Sequence, residues 1–432
     1  MGQTITEKIL AKASGNKEVK AGQNIWVNIN VLMTHDVCGS GTIGIFKDKF
    51  GEEKKVFDKD NVVIIPDHYI FTKDSKSLRN IDILRSFVKE QSIKNFYDPG
   101  TDTYMGVCHV TLPEKGHVRP GEVILGTDSH TCTHGALGAF ATGVGNTDAA
   151  FAMGTGKTWL KVPETIKFVL NGIMPKNLLA KDLILHIIGD IGFDGATYCA
   201  MEFSGEAIDS LSIEERMTIC NMAIEAGAKN GIIAVDEKAV KYVKDRTNVS
   251  FEIFQSDSDA TYKAIYEYDV SKLEPCVAAP HSPDNKKLVS EVSATKISRS
   301  YIGSCTGGKI EDFEYAAKIL YNNKVVIDTF IVPSTTFVEE QMKTYKVKDK
   351  TYMQIFEESG CIIGPPSCAA CLGGPDDTFG RTHADEVVIS TTNRNFPGRM
   401  GSMQSSVYLA SPYVAAASAL TGKITDHMKY LV

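Results

Sequence analysis

Short apolar runs alternate with helical stretches along the whole chain. Runs rich in β-branched residues occupy residues 62–65, 166–170, 325–327, 330–332 and 387–390. Between them apolar residues recur at helical spacing, and residues 178–191, where four polar side chains interrupt an apolar stretch, are typical of an amphipathic helix. The alternation predicts an α/β fold in which mostly buried strands lie between layers of helices.

Two changes in composition divide the chain into three predicted units. The chain has 432 residues, more than one compact core usually holds, so we expect two or three domains. One boundary lies near residues 162–163, after a Gly- and Ala-rich stretch at 135–156, and the other is a polar stretch with three prolines at residues 274–285. The predicted units are therefore residues 1–163, 164–285 and 286–432.

Composition and charge exclude several classes of protein. The net charge of −7 provides no basic surface that could neutralise phosphates, so no nucleic-acid partner is expected. Ten cysteines scattered through a long chain indicate a reducing compartment, the cytoplasm, rather than a secreted disulfide framework. Apolar runs fall short of the roughly 18 residues that a membrane span needs, and the start lacks a secretory apolar region, so no membrane association is expected.

Three cysteines carry the most informative motifs. Cys305 lies in Gly-Ser-Cys-Thr-Gly-Gly, and Cys368 and Cys371 form a Cys-x-x-Cys pair followed by two glycines. Glycines let backbone amides approach a bulky inorganic centre. Three thiolates could hold a [4Fe–4S] cluster and leave one iron open as a Lewis acid. The alternatives are structural zinc, which would need a fourth Cys or His nearby, and buried structural thiols.

Polar pairs are concentrated in the first unit, several of them close behind predicted strands. They are His35-Asp36, Asp67-His68, Cys108-His109 and Asp128-Ser129-His130. Since side chains at strand ends project into the crevice where α/β proteins bind ligands, we expect one shared site. An Asp beside a His raises the pKa of the imidazole and orients it to donate a proton. For each pair alone, a hydrogen-bonded loop histidine is the alternative.

Two later segments add a carboxylate and two guanidinium groups. Asn221 and Glu225 lie in a mostly apolar stretch, residues 220–228, that predicts a helix with both side chains on one face; a capped surface helix is the alternative. Asn393, Arg394 and Arg399 surround a Pro-Gly turn after the run at 387–390. Arginine suits bidentate carboxylate recognition, although surface arginines are the alternative here.

With these segments in order, the chain resembles the aconitase superfamily nearly end to end, and within it the isopropylmalate branch. The most specific stretches are residues 31–39, 65–71, 125–131, 301–308 and 391–399. The sequence departs from true aconitases at His35-Asp36 and at Gly307-Gly308. Both departures favour the isopropylmalate branch, although homoaconitate and methylmalate relatives share much of the pattern.

The resemblance implies a fold and an activity. It implies three α/β domains around a central [4Fe–4S] cluster with three Cys ligands and one open iron. The implied reaction dehydrates and rehydrates a small hydroxy-dicarboxylate, interconverting 2- and 3-isopropylmalate in leucine biosynthesis. Homoaconitate, a methylmalate or a dimethylmalate is the alternative substrate, and a non-catalytic iron sensor that binds RNA is a remote alternative.

The resemblance further implies a partner and a set of roles. The chain ends soon after the third unit, so the fourth, swivel domain with its serine base is expected on a separate small subunit, in a heterodimer or higher hetero-oligomer. The implied cluster ligands are Cys305, Cys368 and Cys371. The implied catalytic residues are Asp67, His68, His109, Asp128, His130 and Glu225. The implied substrate-binding residues are His35, Asp36, Ser129, Asn221, Asn393, Arg394 and Arg399.

Overall fold

The structure, a computed structural model, describes residues 2–431. Its strands are β1 Asn24–Asn28, β2 Val31–Thr34, β3 Val62–Ile64, β4 Asn95–Phe96, β5 Val123–Gly126, β6 Phe140–Gly143, β7 Lys157–Lys161, β8 Thr165–Asn171, β9 Ala200–Ser204, β10 Asn230–Ile233, β11 Ala264–Asp269, β12 Cys276–Ala278, β13 Lys286–Leu288, β14 Arg299–Gly303, β15 Asp328–Val332, β16 Lys346–Val347, β17 Lys350–Thr351, β18 Ile362–Ile363, β19 Val387–Ser390 and β20 Ser406–Leu409.

Helices connect most of these strands. The α-helices are α1 Ile5–Ser14, α2 Asp36–Phe50, α3 Ser75–Gln91, α4 Cys108–Glu114, α5 Asn146–Thr155, α6 Ala180–Ile191, α7 Glu206–Ser210, α8 Ile213–Asn221, α9 Glu237–Lys244, α10 Val289–Val292, α11 Ile310–Leu320, α12 Thr336–Met342, α13 Tyr352–Ser359 and α14 Pro412–Thr421. The 3₁₀ helices are Ser129–Leu137, Met222–Ala226, Val270–Lys272, Ala369–Leu372 and Met428–Tyr430.

Three larger sheets organise the molecule. A five-stranded parallel sheet has the order β4-β3-β2-β5-β6. A four-stranded parallel sheet has the order β10-β9-β8-β11. A seven-stranded sheet has the order β13-β12-β20-β19-β14-β15-β18, and β12, which is antiparallel to both of its neighbours, is its one reversed strand among the described residues. Parallel strands joined by helices confirm the predicted α/β class.

The central strands β2 and β3 of the five-stranded sheet are buried along their whole length. Every residue of β2 and β3 is buried, because helices cover both faces of a parallel sheet. The next element, α2, packs closely on α3 through a glycine. A Cβ at Gly39 would lie 2.7 Å from Leu84 Cδ2, so the glycine-rich start of α2 serves helix packing.

Two predictions about local structure are wrong. Residues 325–327 form no strand, because the backbone amides of Val325 and Val326 donate to Ser359 and Ala419 on neighbouring helices, and β15 begins only at Asp328. The helix predicted at 178–191 exists as α6, but it is buried over residues 180–188 rather than amphipathic, since it packs between α8 and β12. Burial there places Lys181 inside the protein.

The three larger sheets draw their strands from successive stretches of the chain. Strands from residues 31–143 form the five-stranded sheet, 165–269 the four-stranded sheet and 276–409 the seven-stranded sheet. β12 therefore pairs with strands of the third stretch. The division at residues 163 and 285 stays a prediction. Across residues 2–431, none of the helices has the length and apolar character needed to cross a membrane.

Candidate active site

The carboxyl ends of three neighbouring strands supply the first group of site residues. Thr34 ends β2 and is followed by His35 and Asp36, while Asp67-His68 and Asp128 follow β3 and β5 closely. Because these parallel strands end at the same edge of one sheet, their following side chains meet there. The rings of His35 and His68 lie 4.6 Å apart, centroid to centroid.

Asp36 holds the neighbouring loop in place. Its carboxylate accepts hydrogen bonds from the backbone N–H groups of Asp67 at 2.9 Å, His68 at 3.1 Å and Tyr69 at 2.6 Å. The side chain is 1% exposed. Both oxygens of Asp36 are engaged with the loop that carries His68, and a substrate contact for this residue stays a prediction.

The Asp67-His68 pair favours a protonated imidazole on His68. Asp67 Oδ1 lies 2.6 Å from His68 Nδ1, and the Cys108 backbone N–H donates to Asp67 Oδ2 at 2.7 Å. Burial lowers the pKa of His68, but the Asp67 carboxylate outweighs it and raises the pKa to about 10. Burial and the charge of His68 together lower the pKa of His35. Of these two neighbouring imidazole rings, His68 is therefore the protonated one at neutral pH.

A second chain of ionisable groups crosses the site. His109 Nε2 lies 2.9 Å from Asp128 Oδ1, which accepts the His130 backbone N–H at 2.8 Å. His130 Nε2 lies 2.9 Å from Glu225 Oε1, and Arg394 Nε donates to both Glu225 oxygens at 2.8 and 3.0 Å. Asp128 follows β5 of the five-stranded sheet, Glu225 lies between β9 and β10 of the four-stranded sheet, and Arg394 follows β19 of the seven-stranded sheet. This series of hydrogen-bonded groups therefore forms only when the molecule folds.

The charges in this chain set one another's ionisation. Burial and the Arg394 charge lower the pKa of His130, but hydrogen bonds to Asp128 and Glu225 outweigh them and raise it to about 9. Burial alone would raise the pKa of Glu225, yet Arg394 and His130 bring it below its usual value. Ser129 stands at the edge of this group, half-buried, where it lines a cavity of about 370 Å³ with Thr127 and Lys229.

The three cysteines converge on the opposite side of the site. Cys305 follows β14, Cys368 directly precedes the 3₁₀ helix Ala369–Leu372, and Cys371 lies within that helix; all three are at most 5% exposed. A Cβ at Gly307 would lie 2.0 Å from Thr391 Oγ1, so glycine lets the Cys305 loop press against the end of β19. This close approach explains the glycine-rich setting of Cys305.

The three thiols change one another's pKa. Hydrogen bonding with Cys368 lowers the pKa of Cys305 to about 6 against the opposing effect of burial. Hydrogen bonding with Cys368, helped by Arg399, likewise brings the pKa of Cys371 well below its usual value. The same bonds raise the pKa of Cys368. Two of the three sulfurs are therefore favoured as thiolates, the form that binds metal.

Side chains predicted to bind substrate lie directly against these sulfurs. Asn221 Nδ2 and Asn393 Nδ2 lie 3.2 and 3.3 Å from Cys305 Sγ. Arg399 Nη2 lies 3.9 Å from Cys371 Sγ. The helix predicted over 220–228 is interrupted, since α8 ends at Asn221 and a 3₁₀ helix follows, but Asn221 and Glu225 both face the site.

Sequence reasoning missed two buried side chains beside the thiols. Lys181, on α6, is 2% exposed, and its Nζ donates to Thr306 Oγ1 at 3.2 Å and to the carbonyl oxygens of Thr391 and Thr392 at 3.0 and 2.7 Å. Tyr301, on β14, is fully buried. The signal for Lys181 was a lone lysine in an apolar helix, and for Tyr301 a tyrosine in a buried strand four residues before Cys305.

The residues present fit an iron–sulfur cluster better than zinc. The three thiols affect one another's pKa, and two amide donors lie against Cys305 Sγ. Within residues 2–431, Tyr301 Oη and Arg399 Nε are buried without a hydrogen-bond partner, and the inorganic sulfides of a cluster would provide acceptors nearby. His383, the nearest histidine along the chain to the Cys-x-x-Cys pair, is exposed and lies beside Arg381.

The chain matches one protein family over most of its length. The model of the aconitase family (aconitate hydratase) matches residues 7–296 and 285–422. The chain is 58% identical to the 3-isopropylmalate dehydratase large subunit, chloroplastic, of Arabidopsis thaliana, covering 100% of this chain and 87% of that protein. It is 48% identical to the 3-isopropylmalate dehydratase large subunit of Clostridium kluyveri, covering 99% of each.

A third relative and a solved structure agree with these matches. The 3-isopropylmalate dehydratase large subunit 1 of Pyrococcus furiosus is 49% identical, and the match covers 98% of each chain. The crystal structure of Thermococcus kodakaraensis aconitase X is similar with a TM-score of 0.52 and 14% identity, covering 88% of each chain. At that identity the likeness shows the fold alone.

Proposed function

Because the chain belongs to the aconitase family, we propose that it is the large, cluster-bearing subunit of a 3-isopropylmalate dehydratase. The reaction interconverts 2-isopropylmalate and 3-isopropylmalate through 2-isopropylmaleate, by dehydration and rehydration in leucine biosynthesis. The observation that carries the proposal is the meeting, in one buried site, of three thiols with the protonated His68 and the Glu225–Arg394 pair. Relatives that match over nearly their whole length bear this name.

Cys305, Cys368 and Cys371 are the residues that would hold the [4Fe–4S] cluster. When bound through three thiolates, such a cluster supplies an open iron that acts as a Lewis acid on a hydroxyl oxygen. Asn221 and Asn393 support this assignment, because their amides already point at Cys305 Sγ. No oxidation or reduction of the substrate is needed, so the proposed activity is that of a hydro-lyase.

His68 is the proposed donor of the proton to the departing hydroxyl group. Expelling hydroxide is slow in water, and a positioned acid lowers the barrier. Asp67 keeps the proton on His68 at neutral pH and orients the ring through Nδ1, which leaves Nε2 to face the substrate. His109, Asp128 and His130 surround this acid and anchor Glu225, which we place next to the departing oxygen.

Arg394 and Arg399 are the proposed carboxylate-binding groups. Arg394 uses Nε to hold Glu225, so its terminal amino groups are the ones we assign to a substrate carboxylate. Arg399 reaches the site from the same loop, beside Cys371. Two fixed guanidinium groups would stabilise negative charge that builds on the carboxylate as the α-proton leaves.

We propose that a separate small subunit provides the base that removes the α-proton. The implied base is a serine of the swivel domain, and its loop would read the side group of the substrate. The names of the relatives, each a large subunit, support a partner of this kind. The assembly would be a heterodimer or a higher hetero-oligomer in a reducing compartment, as the scattered cysteines indicate.

The test is a reconstitution with purified subunits under anaerobic conditions. The chain alone should carry iron and sulfide near four each, following the cluster stoichiometry, yet convert 2-isopropylmalate negligibly. Adding the small subunit should restore turnover. Homoaconitate, a methylmalate and a dimethylmalate serve as comparison substrates. Full activity of the isolated chain, or a complex that prefers a comparison substrate, would overturn the corresponding part of the proposal.

A further inference from the structure

Tyr301 places a buried phenol beside the three thiols. It lies on β14, four residues before Cys305, and is 0% exposed. Its hydroxyl is buried without a hydrogen-bond partner among residues 2–431. Buried hydroxyl groups are normally hydrogen-bonded, and an unpaired one in a packed interior calls for a physical explanation. A phenylalanine would fill the same space without this polar atom, so packing alone does not account for the tyrosine.

Close packing fixes the position of the ring. A Cβ at Gly380 would lie 2.8 Å from Tyr301 Cε2 and 3.5 Å from the Cβ of Ala370, the residue between Cys368 and Cys371. A Cβ at Gly303 would lie 3.0 Å from Tyr301 Cε1. The ring is thus held between two glycines, on the side of the core that contains the Cys-x-x-Cys turn.

The electrostatic surroundings of the hydroxyl agree with this placement. Burial is the main cause that raises the pKa of Tyr301, and the charges of Cys368, Cys371 and Cys305 raise it further. The ionisable groups that act on this phenol are thus the three thiols. The acceptors that a cluster would bring to it are sulfur atoms, and weak sulfur acceptors take hydrogen bonds from a phenol.

We propose that Tyr301 is a positioning residue that donates its hydroxyl hydrogen bond to a sulfur atom of the cluster held by Cys305, Cys368 and Cys371. The inference rests on the proposed function, since it assumes that cluster. Hydrogen bonds to the sulfurs are one of the features that set the reduction potential of iron–sulfur centres. A donor at this position offsets negative charge on the sulfur and so favours the reduced form of the centre.

Tyr301→Phe is the direct test, because it removes one oxygen atom and keeps the ring. The matched control is Tyr413→Phe, which alters a buried tyrosine of α14 that stacks on His427. Both variants and the wild type are loaded with cluster anaerobically, and iron and sulfide are counted. The midpoint potential is then measured by redox titration followed by electron paramagnetic resonance. Exchangeable deuterons near the reduced cluster are detected by electron–nuclear double resonance in D₂O.

Tyr301→Phe should keep its iron, shift the midpoint potential downward and lose one exchangeable deuteron coupling. Tyr413→Phe should match the wild type in all three. An unchanged potential together with an unchanged deuteron spectrum would overturn the inference. Wild-type protein that loads no iron would instead overturn the proposed function, so the two failures are distinguishable.

A second variant covers the case in which Tyr301→Phe fails to fold or load. Fluorotyrosine incorporated at position 301 keeps the hydroxyl and makes it a stronger donor, so the midpoint potential should rise while iron content stays the same. Opposite shifts in the two variants would support a hydrogen bond to sulfur. A fluorotyrosine variant with the wild-type potential would contradict it.

Discussion

The two sides of the site are built by different means. The His–Asp side consists of His35, Asp36, Asp67, His68, His109, Asp128 and His130. The thiol side consists of Cys305, Cys368 and Cys371 with Asn221, Asn393 and Arg399. On the His–Asp side, hydrogen bonds join residues 1 to 41 positions apart, as in the Asp67–His68 pair and the amides that Asp36 and Asp67 accept. On the thiol side, Asn221 and Asn393 reach Cys305 from 84 and 88 positions away.

This difference has a chemical consequence. The His–Asp side contains both its charges and their counter-charges, so one sheet edge suffices to set the pKa of His68. The positive charges that compensate the thiols come from other segments of the chain, namely Arg399, 28 positions after Cys371, and the buried Lys181 of α6. Loss of a carboxylate or imidazole on the His–Asp side should therefore impair chemistry with the cluster retained, whereas loss of one of the three thiols should remove the cluster.

Cys371→Ser should have the largest effect. Loss of one thiolate should abolish iron and sulfide binding and, with it, all turnover by the reconstituted complex. Cys276→Ser is the matched control, since Cys276 is equally buried but lies on β12. Metal analysis of anaerobically prepared protein measures the effect. A Cys371→Ser protein with its full iron would remove this residue from the thiol side.

Asp67→Asn should separate loss of turnover from loss of the cluster most clearly. Without the Asp67 charge, burial lowers the pKa of His68 and the ring loses its proton at neutral pH. Turnover by the complex should fall by about two to four orders of magnitude, the usual contribution of a general acid, while iron content stays unchanged. The main-chain carbonyl of Asp67, which accepts the Cys368 N–H, is untouched by the substitution. Iron loss equal to the activity loss would contradict the separation.

Arg399→Lys tests the boundary between the two sides. An ammonium group cannot reproduce a bidentate fork, so catalytic efficiency should fall by about a hundredfold, or roughly 2.7 kcal/mol of transition-state stabilisation. Iron content should change little, because the three thiols remain. Arg381→Lys, in a neighbouring loop where Arg381 pairs with exposed Asp376, is the control. A loss below about threefold would place Arg399 outside the substrate site.

The smallest effect concerns stability and pH. Because the folded-state pKa of His68 is raised to about 10 from 6.5, its stabilising contribution is complete below pH 6.5 and is lost as pH rises through 10. Between these limits the free energy of unfolding should fall with pH more steeply in the wild type than in His68→Asn, by up to about 1.4 kcal/mol per pH unit. Thermal unfolding across this range measures the slopes. Equal slopes in the wild type and in His68→Asn would show that His68 binds no more protons in the folded state than in the unfolded state.

Much of the local structure was predictable from the chain itself. Strands β3, β8 and β19 lie within a residue of the runs read from the sequence, since continuous apolar β-branched runs are characteristic of buried parallel strands. The run at 325–327 has the same character but only links α11 to β15, with Val326 62% exposed. Its length of three residues could not distinguish a strand from a connection.

The sequence by itself determined which groups are available: histidine–aspartate pairs behind apolar strands, and cysteines among glycines. Tertiary structure alone decided what each group faces. Asp36 accepts backbone amides of the loop that carries His68, and Arg394 binds Glu225 from 169 positions away. Lys181 reaches Thr391 and Thr392 across 210 and 211 positions. The physical reason is that hydrogen bonding and burial depend on distances in space, which spacing along the chain does not specify.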